Sequence, residues 1–354
     1  MVKMFVRNSL VACSILFTAT CPGQQKIEKL LYYVDRESSF ESFKQNIEKI
    51  TIVSPSSYSV DEDGILWGFV DQRVINLAKE HNVGVMPLIV NPGFNQKTLH
   101  DLLTDSIARK RAISSMVGIC QQSHFIGIQF DFENLSITDR DAYTRFYREA
   151  AEALHQGGYL ISVAVVHRPE ELPGPTRYFK WLFKNWRGGY DIKALADIGD
   201  FISVMTYSQH TRRTTPGPNA GIPWVRQVIE YFLSEVPAEK LSLGIPFGSQ
   251  HWYTAQDDEK YFLNARAWSD NVDYTRARGL IERNNATLTW NEQQQVNYTF
   301  FDNGGLFEYI FLEDARSFQA KLDLMKKYKL RGFSAWVLGE EDPKIWEVLE
   351  NVGR

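Results

Sequence analysis

Asp131 and Glu133 stand two residues apart in the run Phe125-Ile-Gly-Ile-Gln-Phe-Asp-Phe-Glu-Asn134. Side chains alternate faces along an extended strand. Gly127, Gln129, Asp131 and Glu133 therefore share one side, and Ile126, Ile128, Phe130 and Phe132 the other. Two strand positions separate Cα atoms by about 6.6 Å, so the two carboxyls can share a proton by choice of rotamer. Such a pair suits general acid chemistry. A proton donor must stay protonated near neutral pH, and burial beside a second carboxylate raises its pKa. The apolar side must be covered, whereas the acid side must look into a closed, partly buried space, as in the interior of a barrel. A merely solvated polar face would need an open antiparallel sheet, because buried acids are costly unless partnered.

The elements that would position this pair alternate in type along the chain, the pattern of a parallel sheet with crossover helices. Strands are predicted over residues 30–34, 50–55, 83–90, the acidic run ending at Asn134, 159–166, 200–207, 241–247 and 332–338. Helices are predicted over 40–47, 71–80, 99–119, 139–154, 225–233, 314–327 and 343–349. The helix over 139–154 carries Tyr143, Phe146, Tyr147, Ala150, Ala151 and Leu154 at three- and four-residue spacing, with Thr138 placed as its cap. A longer aromatic insertion around Trp181 and Trp186 precedes the sixth strand. Between Trp252 and Leu312 the rhythm breaks into antiparallel runs over 288–290, 296–301 and 306–311, the last two joined through the turn signal Asn303-Gly304.

The expected fold is thus α/β, a (β/α)8 TIM barrel over residues 26–354, with a small β-rich insertion (254–311) between strand seven and helix seven. Barrel chemistry sits at the carboxyl ends of the strands, where Asp131 and Glu133 fall. Alternation also groups Ser203, Met205 and Tyr207 on strand six, and Gly332, Ser334 and Trp336 on strand eight. The small residues of strand eight are expected to leave space, with Trp336 either an apolar floor at the mouth or a core residue. Trp252, Tyr253 and Trp67 are candidate sugar platforms, since pyranose rings offer flat C–H faces to aromatic systems.

Bulk properties exclude several classes. A formal charge of −4 over 354 residues, with no basic run among the aromatics, argues against nucleic acid as a partner. The seven histidines show no i, i+4 pair and there is no Gly-Lys phosphate loop, so neither metal nor cofactor is expected. His124, His210 and His251 flank strands four, six and seven. Lys3 and Arg7 precede an apolar stretch over 10–19, which reads as an export signal covering residues 1–21. Cys21 follows Thr18-Ala19-Thr20, a loose lipoprotein cleavage pattern; lipidation with a membrane tether, or cleavage without lipid, are both open. Either way the protein is expected to be exported, secreted or envelope-associated, and to act as a monomer. Cys13, Cys21 and Cys120 are too few for a disulfide scaffold, and Cys120 reads as an inert core residue.

The residues resemble glycoside hydrolase family 18, the chitinase-like family, and within it the branch of spore-cortex-lytic and germination N-acetylglucosaminidases. The stretches carrying the resemblance are Gly127 to Asn134, Asp200 to Tyr207, Ile222 to Ile229, Leu243 to Phe247, Glu313 to Ser317 and Leu330 to Trp336, in family order. Matched to the family pattern Asp-Gly-x-Asp-x-Asp-x-Glu, the resemblance implies that Glu133 is the general acid and that Asp131 orients the substrate acetamide. It implies that Tyr207, in Met205-Thr-Tyr207, hydrogen-bonds the cyclised acetamide, and that Trp336 lies under the sugar ring. The implied substrate is an N-acetylated polysaccharide, peptidoglycan or chitin-like. The implied mechanism is substrate-assisted, with no enzyme carboxylate as nucleophile.

Three positions depart from the pattern: Ile126 and Gln129 replace acids or an Asn, and Ser208 replaces the Asp after the Tyr. Gln129 is expected to hold Asp131 through a neutral hydrogen bond. These changes favour a rival reading, a glycan-binding barrel without turnover; retention of Glu133 argues against it. A glycosidase using two enzyme carboxylates is disfavoured because the seventh strand runs out through Pro246-Phe-Gly-Ser-Gln-His-Trp252 without an acid.

Overall fold

The computed structural model describes residues 27–211, 214–253, 268–350 and 352; the expected export signal and Cys21 lie outside them. Eight strands form the barrel: β1 Glu28–Tyr33, β2 Ile52–Val60, β3 Leu88–Val90, β4 Gly127–Phe130, β5 Leu160–Val166, β6 Phe201–Met205, β7 Leu241–Pro246 and β8 Gly332–Trp336. Each pairs in parallel with its sequence neighbour, and β8 returns to β1, so the sheet closes without an edge. The third predicted strand is broken into Gly84–Val85 and Leu88–Val90. The break falls at Met86-Pro87, where proline has no N–H to give to a ladder.

The alternation expected for the acidic run holds on its apolar side from Ile128 onward, whereas Ile126 is half-buried and packs with the separate cluster of Leu30, Tyr32 and Ile52. Ile128, Phe130 and Phe132 are buried, and Phe130 packs against Phe146 at 5.3 Å and Tyr147 at 5.4 Å on the helix Arg140–Gln156. That helix begins differently from the expectation. Ser136, not Thr138, caps the approach, through a 3-10 turn over Ile137–Asp139, and Asp139 makes no side-chain cap. The predicted helix over 99–119 is two helices, Gln96–Thr104 and Ser106–Ser123, because the Asp105 carboxylate accepts the N–H groups of Ile107 and Ala108 and starts a new one.

The barrel interior is filled rather than open. Ser203 and Ser242 lie 2.8 Å and 2.6 Å from the Ser334 hydroxyl. A Cβ on Gly332 would lie 2.0 Å from the Glu28 carbonyl oxygen. The small residues of β8 therefore leave no space: they admit the β1 backbone and a hydroxyl chain.

The insertion is a five-stranded antiparallel sheet of Ser249–Tyr253, Trp268–Val272, Thr289–Asn291, Val296–Asn303 and Leu306–Leu312, with the helix Tyr274–Arg283. It starts at Ser249, five positions before the expected 254, because the chain leaving β7 enters the sheet almost at once. The hairpin turns on Gly304-Gly305, both at positive φ (64° and 88°), one residue later than the Asn303-Gly304 signal. Val272, Ala277, Ile281, Phe301, Ile310 and Leu312 give it a core of its own.

A buried ion pair ties this sheet back to the barrel. Glu313 follows its last strand and accepts from Lys321 Nζ at 2.6 Å on the helix Ala315–Lys327, with side chains 3% and 1% exposed. Asp314 and Ser317 complete a reciprocal cap at the helix start. Replacing Lys321 by Met strands a buried carboxylate and is expected to cost about 3–5 kcal/mol. The double variant with Glu313→Leu should recover most of that loss, read from denaturant midpoints.

Candidate active site

The acid pair sits just past the last ladder position of β4. The Asp131 N–H donates to the Ile89 carbonyl at 2.9 Å, and the Glu133 N–H donates to the Asn91 side-chain oxygen at 3.1 Å. The Asn91 amide returns a bond to the Glu133 carbonyl at 3.0 Å, and the Tyr190 hydroxyl donates to the Phe132 carbonyl at 2.7 Å. The loop carrying the pair is therefore held from both sides by side chains. Asn134 closes it at φ 55°, a left-handed conformation that Asn tolerates better than most residues.

Asp131 is buried, and its Oδ1 has no hydrogen-bond partner among the described residues. Burial raises the Asp131 carboxyl above the ordinary carboxylate range. Burial also raises Glu133, and the charge of Asp131 adds to that shift. Tyr207 is raised well above the ordinary phenol value, by burial first, then by Tyr32, Asp131 and Glu133. Tyr207 and Glu133 line one cavity, and the influence of both acids on Tyr207 reflects their proximity.

Gln129 does not do what the sequence suggested. It is fully buried, and its amide is already satisfied: Oε1 accepts from the Tyr32 hydroxyl at 2.8 Å, and Nε2 donates to Ser162 at 2.9 Å and Ser203 at 3.1 Å. It neither holds Asp131 nor reaches a ligand. An amide here supports a neutral interior network and leaves Asp131 free.

A cavity of about 380 Å³ opens beside Glu133, lined by Met205 and Tyr207 at the end of β6 and by Tyr178, Trp181 and Trp186 from the insertion after β5. Ser208 also lines it, at φ 60°, with its N–H donated to the Asn219 side chain at 2.7 Å. Trp336 is half-buried at the end of β8, its ring 5.4 Å from that of Tyr32.

The other aromatic candidates separate. Trp252 is 1% exposed, with its indole N–H donated to the Gly217 carbonyl, so it is a packing residue with no face left for a sugar. Tyr253 is half-buried and donates to Asp270 at 2.9 Å on the inserted sheet. Trp67 is 58% exposed in the hairpin beyond β2. Among the histidines, His124 caps the helix before β4, at the end of the barrel away from the acids. Asn91, Tyr190, His167 and Arg187 were missed. Asn and Tyr in loops give no signal of which carbonyl they will reach.

A closed (β/α)8 barrel with two raised-pKa acids at the carboxyl end of β4, opening into an aromatic cavity, is the architecture of a barrel glycosidase. The chain belongs to glycosyl hydrolase family 18, whose model matches residues 29–341. It is 30% identical over 309 residues to the cortical fragment-lytic enzyme of Bacillus subtilis (strain 168), covering 85% of this chain and 68% of that protein. The crystal structure of the Bacillus megaterium QM B1551 spore cortex-lytic enzyme SleL matches with TM-score 0.81 and 25% identity, over 94% of this chain and 76% of that one. The fold is also that of a chitinase from Chromobacterium violaceum ATCC 12472, with TM-score 0.80 at 23% identity, over 92% of this chain and 98% of that one. The protein is a glycoside hydrolase.

Proposed function

We propose that this hydrolase cleaves β-linked polysaccharide containing N-acetylglucosamine, peptidoglycan or chitin-like, with retention at the anomeric carbon and with the substrate acetamide as nucleophile. The observation that carries this is the buried Oδ1 of Asp131, unpartnered among the described residues, beside Glu133, whose pKa burial and the Asp131 charge raise. An acceptor left open in a buried site is costly, and an acetamide N–H would satisfy it.

Glu133 gives its proton to the glycosidic oxygen as the bond to the anomeric carbon breaks. The acetamide carbonyl oxygen bonds that carbon, forming a cyclic oxazolinium whose N–H donates to Asp131 and whose oxygen accepts from the Tyr207 hydroxyl. Glu133, now a carboxylate, takes a proton from a water that attacks the same carbon, and the ring reopens. Met205 and Trp336 would bound the sugar in this reading. The names of the relatives, lytic on cortical fragments or chitinases, support an N-acetylated polymer. Residues 1–21, read as an export signal, would deliver the barrel to such a wall; mass spectrometry of the mature N-terminus tests this and any lipid on Cys21.

The mechanism has a direct test. Chitooligosaccharides and purified peptidoglycan strands are expected to be cleaved with β-anomer product at early times by proton NMR, and cello-oligosaccharides, which carry a hydroxyl in place of the acetamide, are expected to be inert. Cleavage of the cello series at a comparable rate would rule out the substrate as nucleophile.

A further inference from the structure

One cation lining the cavity, Arg187, has no counter-charge among the described residues. Arg187 lines the same cavity as Glu133 and the aromatic wall of Tyr178, Trp181 and Trp186. Among the described residues its guanidinium makes one hydrogen bond, from Nη2 to the Nε2 atom of His167 at 2.7 Å. Its Nε–H is buried without a partner, and no carboxylate of the described residues lies within 4.0 Å.

His167 cannot neutralise it. The imidazole Nδ1–H donates to the Met205 carbonyl at 3.1 Å, which leaves Nε2 as the lone-pair acceptor facing Arg187. Burial and the Arg187 charge hold the His167 pKa well below its ordinary value, so the ring is neutral and the arginine keeps its whole charge. Burial lowers Arg187 itself to about 10, still protonated at neutral pH.

Of the neighbouring acids, Glu170 lines an adjoining pocket with Arg187 but makes no ion pair with it, and Glu171 is engaged elsewhere. Glu171 takes Arg168 at 2.5 Å and Arg140 at 3.0 Å, and Glu133 owes its shift to burial and Asp131 alone. Arg168 in turn donates to the Arg187 carbonyl at 2.7 Å, fixing the backbone from which the side chain projects. The result is a guanidinium oriented by a neutral imidazole and a neighbouring arginine, partly desolvated, with its Nε–H left without a partner among the described residues. Such an arrangement suits a carboxylate better than any neutral hydroxyl or acetamide, because the fork geometry takes two oxygens at once and a desolvated cation gains most from an anion.

We infer that Arg187, positioned by His167, is a subsite for a carboxylate borne by the glycan, which makes the substrate an acidic N-acetylated polymer such as one with lactyl-substituted hexosamines, rather than neutral chitin. This rests on the N-acetylated-glycan reading above and narrows it. The aromatic wall of the cavity borders the sugar, while Arg187 reads the charged substituent.

The test uses binding in a Glu133→Gln background, where strands are not turned over. Three tetrasaccharides alternating N-acetylglucosamine with N-acetylmuramic acid are compared by calorimetry: free lactyl carboxylates, their methyl amides, and lactyl groups extended by L-alanine with its own free carboxylate. A free-acid strand is expected to bind about tenfold to a hundredfold tighter than the methyl amide, the size of a charge-assisted hydrogen bond. Preference for the lactyl acid places the charge on the sugar substituent; preference for the alanyl strand places it on a peptide stem. Adding Arg187→Gln should erase the preference, and Arg187→Lys, which keeps the charge without the fork, should retain part of it. Thermal midpoints of both variants, compared with the parent, check that they are folded. Equal binding of acid and amide, absent binding of both acids, or a preference that survives Arg187→Gln in a folded protein overturns the inference. Cleavage of chitooligosaccharides by the protein with Glu133 intact reports separately on the glycosidase reading.

Discussion

Glu133→Gln is expected to lower kcat on a chromogenic chitooligosaccharide by about 10² to 10⁴-fold, the usual worth of a positioned general acid. The glutamine is nearly isosteric, and the loop backbone that carries it stays held by Asn91 and Tyr190, so KM should change little. The loss should depend on the leaving group. A dinitrophenyl glycoside departs without protonation, so the first step of the variant should be largely restored on it, while natural linkages stay slow. Stopped-flow release of the nitrophenolate against product analysis on the unactivated oligosaccharide makes this comparison. Rates equal to those of the parent on the unactivated substrate would remove Glu133 from the role of acid and return the barrel to a binding function.

Asp131→Asn should produce the second large effect, again about 10² to 10³-fold in kcat, because an amide cannot balance the positive charge of the oxazolinium. It should also move the pH profile in a definite direction. The anion of Asp131 helps raise Glu133; without it the Glu133 pKa falls, and the alkaline limb of kcat/KM shifts to lower pH. A limb that stays in place would show that Asp131 does not act on Glu133 through its charge.

The same substitution should stabilise the protein at high pH. Both acids have folded-state pKa values raised above those of an unfolded chain. Between the two values the folded state binds more protons, so the stability contribution of these groups is intact at low pH and declines as pH rises through that window. Asp131→Asn removes one such group. Its melting temperature should match the parent near pH 4 and exceed it at pH 8. A melting temperature below the parent at pH 8 would indicate that Asp131 is partnered in a way the Oδ1 environment does not show.

Much of this site was legible in one stretch. Alternation put Ile126, Ile128, Phe130 and Phe132 on one face and the acids on the other; the last three are buried together, but Ile126, ahead of the strand, packs with a different cluster. The closure of eight parallel strands and the inserted antiparallel sheet followed from periodicity and the glycine turn signals, with boundaries off by a few residues where Pro87, Asp105 or Ser136 intervened. Alternation also grouped Gln129 with Asp131, but sharing a face does not fix partners. Tyr32, Ser162 and Ser203 come from three other strands, and their hydroxyls take up the whole amide. Trp252 misled for a related reason: an aromatic just past a strand end is a platform or a packing residue according to what covers it, and Gly217 is 35 residues away.

By itself, the order of residue types determined the barrel and set Asp131 and Glu133 together at the carboxyl end of one strand, because both depend on periods of two and of three to four residues and on local turn chemistry. Only the tertiary structure decided which polar groups are satisfied and which are left waiting. The saturation of Gln129 and, among the described residues, the open oxygen of Asp131 and the Arg187 charge without a carboxylate arise from side chains meeting across strands and loops, and desolvation, which sets their cost and their use, is a property of that enclosure.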